Sequence, residues 1–381
     1  MGAPLSSWPW AGLGAYKYLL YGPLVAKVAQ AWREQGGAPT DSWCLHLLLL
    51  LALRSLTHQL WFSYANMLFF TRRRRVVPDG VDFKQIDAEW DWDNMVIMQT
   101  LLGAMAISSP LFPAMSELPA WDPRGWAVAL LVHVAVSEPG FRWAHRALHR
   151  GPLFSQYHSK HHSSPVTQPL TSAYGTPLES LVLTLAMAAP LAGAFLAGAG
   201  SVGLLYGHIF AFDYLRCMGY SNVEVISHRA FRAFPLLRYL IYTPTYLSLH
   251  HQEKDSNFCL FMPLFDLLGG TVHPRSWELQ KEVGQGTDRH GRTTGCRTSC
   301  SWRTWWTWCP PCTCRSRSGR AARSHGRRAS CCSRSGPSPS ASWCSRCSAP
   351  RPSPSASTAS AARSTRPGPS RATASSTSSR P

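Results

Sequence analysis

Beyond residue 288 the chain has no Asp, Glu or Lys, and no Leu, Ile, Val, Phe or Tyr. A stretch of that length without large aliphatic side chains cannot bury a core, so residues 286–381 are expected to form a low-complexity, disordered tail. The tail also distorts the composition. The formal net charge is +18, with 38 basic residues, and 17 of those are arginines of the tail. Residues 1–288 hold the other 21 against 20 acidic residues, which argues against a nucleic-acid-binding body. Cysteine is scarce in the body as well. Only Cys44, Cys217 and Cys259 lie there, too few and too scattered for a disulfide framework. The N-terminus lacks a basic start followed by an apolar run and a small-residue cleavage site, so it does not read as a cleavable signal peptide.

Charge is missing from two internal runs, residues 94–116 and 180–212. Such runs suit membrane spans. Residues 44–70 form a third, Leu-rich run that ends on Arg72-Arg73-Arg74-Arg75, and arginines beside a span favour the cytoplasmic side. Residues 8–31, aromatic and apolar with Lys17 and Lys27, read as an interfacial helix or a first span. From the arginines, a span near 94–116 goes out and 125–143 returns. Residues 180–212 then go out and back as a hairpin broken at Pro190 and Gly198-Ala-Gly200. The expected fold class is therefore all-α: a polytopic membrane helical bundle with a cytoplasmic, histidine-lined helical cap. Residues 1–124 make an N-terminal membrane region and residues 125–285 carry the cap.

Five histidines fall within eighteen residues: His145, His149, His158, His161 and His162. His145 and His149 are four apart and share a helix face, and His158 lies three from His161 and four from His162. Two short helices facing each other bring these rings into one space. His250 and His251 lie about ninety residues on, and on the same side of the predicted path. Neutral imidazole binds iron, zinc or copper, and seven rings exceed what one tetrahedral ion uses. Two irons facing a bilayer are the expected cofactor. Glu138 lies seven before His145 and eleven before His149, on the same face, next to Pro139 as a kink. Glu138, Asp213 and Asn222 are candidates to orient the ligands from behind. His46, His58, His133, His208, His228 and His273 are isolated and read as structural.

His-X3-His, His-X2-His-His and a third box after a hairpin resemble the fatty acid hydroxylase/sterol desaturase superfamily. Further stretches bring the resemblance closer to the plant eceriferum/glossy wax-synthesis proteins, their aldehyde-forming eceriferum-three branch in particular. They are Ser7–Trp10, Gly80–Asp87, Tyr157–Pro165, Tyr239–Tyr246 and Phe258–Asp266. The resemblance covers residues 5 to 285. It implies an endoplasmic-reticulum membrane protein acting on very-long-chain acyl-CoA or aldehyde, with cytochrome b5 and an eceriferum-one-type protein as partners. It also implies ligands that are missing here. Leu247 stands where the third box begins with histidine, and Tyr220 stands where a further family histidine belongs. Two functions follow: a di-iron oxidoreductase of wax aldehyde and alkane formation, or a non-catalytic membrane partner subunit with a degenerate metal site.

The tail uses residue types with GC-rich codons. In a shifted frame the codons of Trp302–Trp308 are able to read Ala-Asp-Val-Val-Asp-Val, so the tail is expected to be an out-of-frame product. Sequencing the transcript across codons 285–310 should show a change of frame; a continuous frame together with detected tail peptides contradicts this.

Overall fold

The computed structural model describes residues 3–78, 80–109 and 112–285. The expected disordered tail and its frame reading lie outside the described residues. Among the described residues there is no strand, only an isolated bridge between Arg75 and Val223. The all-α expectation holds.

Eight helices position the site. They are α1 (Gly22–Gln35), α2 (Trp43–Asn66), α3 (Asp93–Ile107), α4 (Pro123–Val132), α5 (Glu138–Leu148), α6 (Pro177–Leu196), α7 (Val202–Gly219) and α8 (Pro244–Glu253). α4 and α5 are one rod joined by a π-helical turn at His133–Ser137. Proline lacks an N–H and crowds the carbonyl four residues back. The wider turn just before Pro139 absorbs that misfit, as π-bulges do. α6 packs along this rod and α7 along α2. The first contact is close: a Cβ on Gly193 of α6 would lie 2.9 Å from Cγ2 of Val132.

Among the described residues, Trp43–Asn66 and Pro177–Leu196 are helices long and apolar enough to cross a membrane. Two other expected spans come out differently. The charge-free run at 94–116 supplies only the fifteen-residue α3, short of the ~20 residues a bilayer needs. Residues 8–31 divide into a 3-10 helix, Ala11–Tyr21, and the first part of α1. Trp8 Nε1 donates to the Gly175 carbonyl, and Trp10 Nε1 to Asn94 Oδ1, docking this segment on the body. The hairpin at 180–212 turns at one of its two expected breaks. Pro190 lies inside unbroken α6, while Gly198 takes φ 65°, a conformation glycine adopts without a Cβ penalty.

The main apolar core lies under the histidines. It joins Val96 of α3, Leu183 and Met187 of α6, Phe212 of α7, Tyr246 and Leu247 of α8, and Leu260 and Phe261. A buried ion pair ties α2 to α7. Arg54 Nε lies 2.6 Å and Nη2 3.0 Å from the two oxygens of Asp213, both side chains being nearly inaccessible. Breaking such a pair from one side strands a buried charge and costs ~3–5 kcal/mol, whereas replacing both partners with apolar residues is close to neutral. Denaturation in detergent should therefore show Arg54→Leu alone to be far less stable than Arg54→Leu/Asp213→Leu. Equal losses in the single and double variants contradict this role for the pair.

Candidate metal centre

The three histidine boxes stand at helix ends that meet. His145 lies in the last turn of α5 and His149 caps it. His250 and His251 lie in the last turn of α8. The second box is not on a regular helix. Phe154–His158 is a π-helical turn, and His161–Ser163 a 3-10 turn. This corrects the expectation of two facing α-helices. The change of pitch between the turns sends neighbouring rings to different places. His162 Nε2 approaches His158 Nε2 at 3.1 Å, while His161 Nε2 meets the hydroxyl of Tyr220 at 2.9 Å.

Five histidines, 145, 149, 158, 162 and 250, each offer a ring nitrogen, and these nitrogens lie within 4.8 Å of one another. His161 and His251 sit beside them, their rings 4.8 Å apart. Carbonyl oxygens set the tautomers. His145 Nδ1 lies 2.9 Å from the Phe258 carbonyl, His250 Nδ1 2.7 Å from that of Ser256, and His161 Nδ1 2.9 Å from that of Tyr174. A carbonyl only accepts, so each Nδ1 carries the hydrogen and each Nε2 keeps its lone pair. The Nε2 atoms of His145 and His250 are thereby left free to bind. Burial, reinforced at several rings by their neighbours, lowers the basicity of all seven, for instance to about 3 at His158 and about 4 at His161 and His250. They are neutral at physiological pH, the form that binds metals.

The donor set fits a metal ion. His158 Nε2 faces both His149 Nε2 at 2.9 Å and His162 Nε2 at 3.1 Å. One nitrogen carries either a hydrogen or a lone pair, so three clustered nitrogens cannot all be satisfied by sharing protons. The Nε2 of His250 and the Nδ1 of His162 are buried without any partner. A cation accepts all such lone pairs at once.

The carboxylates behave in distinct ways. Glu138 does not touch the five clustered histidines. It accepts from the backbone N–H groups of Leu260 (3.2 Å) and Phe261 (2.9 Å) and lies 3.2 Å from His133 Nε2. It thereby holds the strap Phe258–Phe261, whose first carbonyl sets His145. Asp266 grips the same strap, accepting from Cys259 N, Tyr246 Oη and Arg142 Nε. Asp213 is committed to Arg54. Asn222, in a left-handed conformation, closes backbone hydrogen bonds with Val77 away from the cluster. Glu179 was not singled out in the sequence. Its Oε1 lies 3.2 Å from His158 Nδ1 and 3.6 Å from His161 Nδ1. Its signal was available: it is the last charge before the apolar run that begins at Ser180. Of the isolated histidines, His46 pairs with Tyr206, His58 with the Arg54 carbonyl, His208 with that of Met187 and His228 with Gln280. His133 reaches Glu138, and His273 lies 3.6 Å from Glu253.

Residues 130–271, which contain all seven clustered histidines, match the fatty acid hydroxylase family. The chain is 70% identical over 290 residues to a protein of Oryza sativa subsp. indica named very-long-chain aldehyde decarbonylase GL1-2, covering 74% of this chain and 46% of that one. It is 58% identical over 289 residues to GL1-1 of the same name and source, covering 76% and 46%. To very-long-chain aldehyde decarbonylase CER1 of Arabidopsis thaliana it is 35% identical over 285 residues, covering 74% and 45%. The chain thus spans a little under half the length of these relatives. No solved structure matches. Over its histidine-box region the chain is thus similar to the fatty acid hydroxylase family, and over most of its described length to plant proteins named very-long-chain aldehyde decarbonylases.

Proposed function

We propose that this chain is a membrane protein with an iron centre, an oxidoreductase of very-long-chain lipids in the formation of cuticular wax aldehydes and alkanes. The observation that carries this reading is the cluster of five neutral imidazoles with nitrogens within 4.8 Å, all buried but the half-buried His149. His145, His149, His158, His162 and His250 would hold the metal. His161 and His251 bring the count to seven rings, enough for two irons only if both of them give a nitrogen to metal. Bound iron would supply redox chemistry at a carbon of the substrate. The chain's own residues do the rest: the carbonyls of Phe258 and Ser256 hold the rings of His145 and His250 in orientation, and Glu179 faces His158 Nδ1.

The substrate reading draws support from a cavity of about 440 Å³ between α2, α3, α6 and α7, lined by side chains such as Leu47, Leu50, Leu102, Leu185, Leu191 and Phe195. Its lining is almost wholly apolar, the surface an alkyl chain seeks. α6 also lines a smaller cavity beside His145, His158 and His161, through Glu179, Ser180 and Leu183. One helix thus connects an alkyl-sized space with the imidazoles. A very-long-chain aldehyde, the substrate class in the relatives' names, combines such a chain with a reactive head. The endoplasmic reticulum, a cytoplasmic face for the histidines, cytochrome b5 as donor and an eceriferum-one-type partner complete the proposal. A specific observation favours the second reading, a non-catalytic partner subunit: Tyr220 and Leu247 supply no imidazole, and Leu247 is packed into the apolar core.

Co-expression with an eceriferum-one-type protein and cytochrome b5, in a host making very-long-chain acyl-CoA, tests both. The oxidoreductase reading predicts that His149→Ala/His162→Ala abolishes aldehyde and alkane formation, by about 100-fold or more, since these rings sit at the metal. Undiminished products from that folded variant contradict it and leave the partner-subunit reading.

A further inference from the structure

The seven histidines do not form one equivalent set. His161 is turned away from the five. Its Nδ1 donates to the Tyr174 carbonyl at 2.9 Å, and its Nε2 accepts from the Tyr220 hydroxyl at 2.9 Å. A neutral imidazole has one N–H and one lone pair, and in His161 both are in use. Glu179 lies 3.6 Å from the Nδ1 of the same ring, on the far side from Tyr220, so it does not compete for Nε2. His251 is the opposite case. It is 7% exposed, its ring centroid lies 4.8 Å from that of His161 and 5.5 Å from that of Tyr220, and neither of its nitrogens has a partner. Leu247, one turn back on α8, is 3% exposed and belongs to the same apolar core as Tyr220.

We infer that this chain holds one metal ion, in the five-histidine cluster, and that the Tyr220 hydroxyl closes a second position between His161 and His251. The inference rests on the metal centre proposed above. For an ion to recruit His161, its bond from Tyr220 must break, leaving a buried phenol without its acceptor. The ion would then find two imidazoles, His161 and His251, where a protein metal site ordinarily supplies three or four ligands. A neutral phenol is a poor substitute, and Leu247 offers none. Tyr220 is therefore the residue that decides how many ions bind. The unpartnered nitrogens of His251 are what remains of the closed position: a ligand without an ion, one imidazole short of a site.

The test is metal stoichiometry. The full chain is purified in detergent, loaded anaerobically with ferrous iron, freed of excess and counted for iron per chain. After oxidation, electron paramagnetic resonance separates isolated from spin-coupled ferric ions. The wild type should bind one iron, with an isolated high-spin signal. Tyr220→Phe, which removes the hydroxyl without adding a ligand, should also bind one. Tyr220→His frees His161 and adds a third imidazole, and should bind two. If that variant fails to fold, Tyr220→Phe/Leu247→His removes the hydroxyl from His161 and supplies the third imidazole from α8, and should raise the count likewise. Two irons per wild-type chain, with a coupled pair, overturn the inference and leave the metal centre standing. No iron in the wild type overturns the metal centre, and the inference with it. A folded, iron-loaded Tyr220→His that stays at one refutes Tyr220 as the closing group.

Discussion

A short hydrogen bond from a ring nitrogen to a backbone carbonyl governs the site. His145 and His250 each give their Nδ1 hydrogen to a carbonyl, of Phe258 and of Ser256, and so present Nε2 lone pairs to the interior. With the tautomer fixed, the ring becomes a ligand; with it free, the ring is a polar side chain in need of a partner. Both carbonyls belong to the segment that follows α8. Two buried carboxylates, Glu138 and Asp266, hold the next few backbone N–H groups of that segment. The chemistry at His145 therefore depends on a carboxylate seven residues earlier in its own rod, acting through a strap more than a hundred residues away in sequence.

The fold exists to bring three chain segments to one end of a helical rod. α4 and α5 carry the first box there, the π-helical and 3-10 turns after α5 fold the second box back onto it, and α8 presents the third from above the core. Proline and glycine do specific work in this arrangement. Pro139 coincides with a π turn that keeps the rod continuous, and Gly198 turns the chain so that α7 can return toward the site and end at Tyr220. Burying so many imidazoles without counter-charges makes sense only while they stay neutral, and their depressed basicity provides for that.

Much of this was legible in the residues. The spacing of His145 and His149 put both on one face, and they lie on one face. The return of the chain brought His250 and His251 to them. The second box was harder. A spacing of three and four reads as one helix face, but a π turn followed by a 3-10 turn changes the pitch and separates His161 from His162. Periodicity cannot register that. Glu138 shares the histidines' side of the rod, yet its partners are backbone N–H groups of a distant segment, which no local pattern reveals. Glu179 escaped notice because it borders an apolar run that reads only as a span. Pro190 suggested a break, but an unbroken helix accommodates it, while the glycines nearby supplied the turn. α3 is shorter than the charge-free run that contains it, because the absence of charge marks an apolar environment and not the length of a helix.

The central claim is that buried imidazoles with fixed tautomers form a metal-binding shell. X-ray absorption at the iron edge of the purified, iron-loaded chain tests it most directly. The account predicts a first shell made mainly of imidazole nitrogen, with the outer-shell scattering of about five rings. A shell dominated by oxygen, with little imidazole scattering, would contradict it.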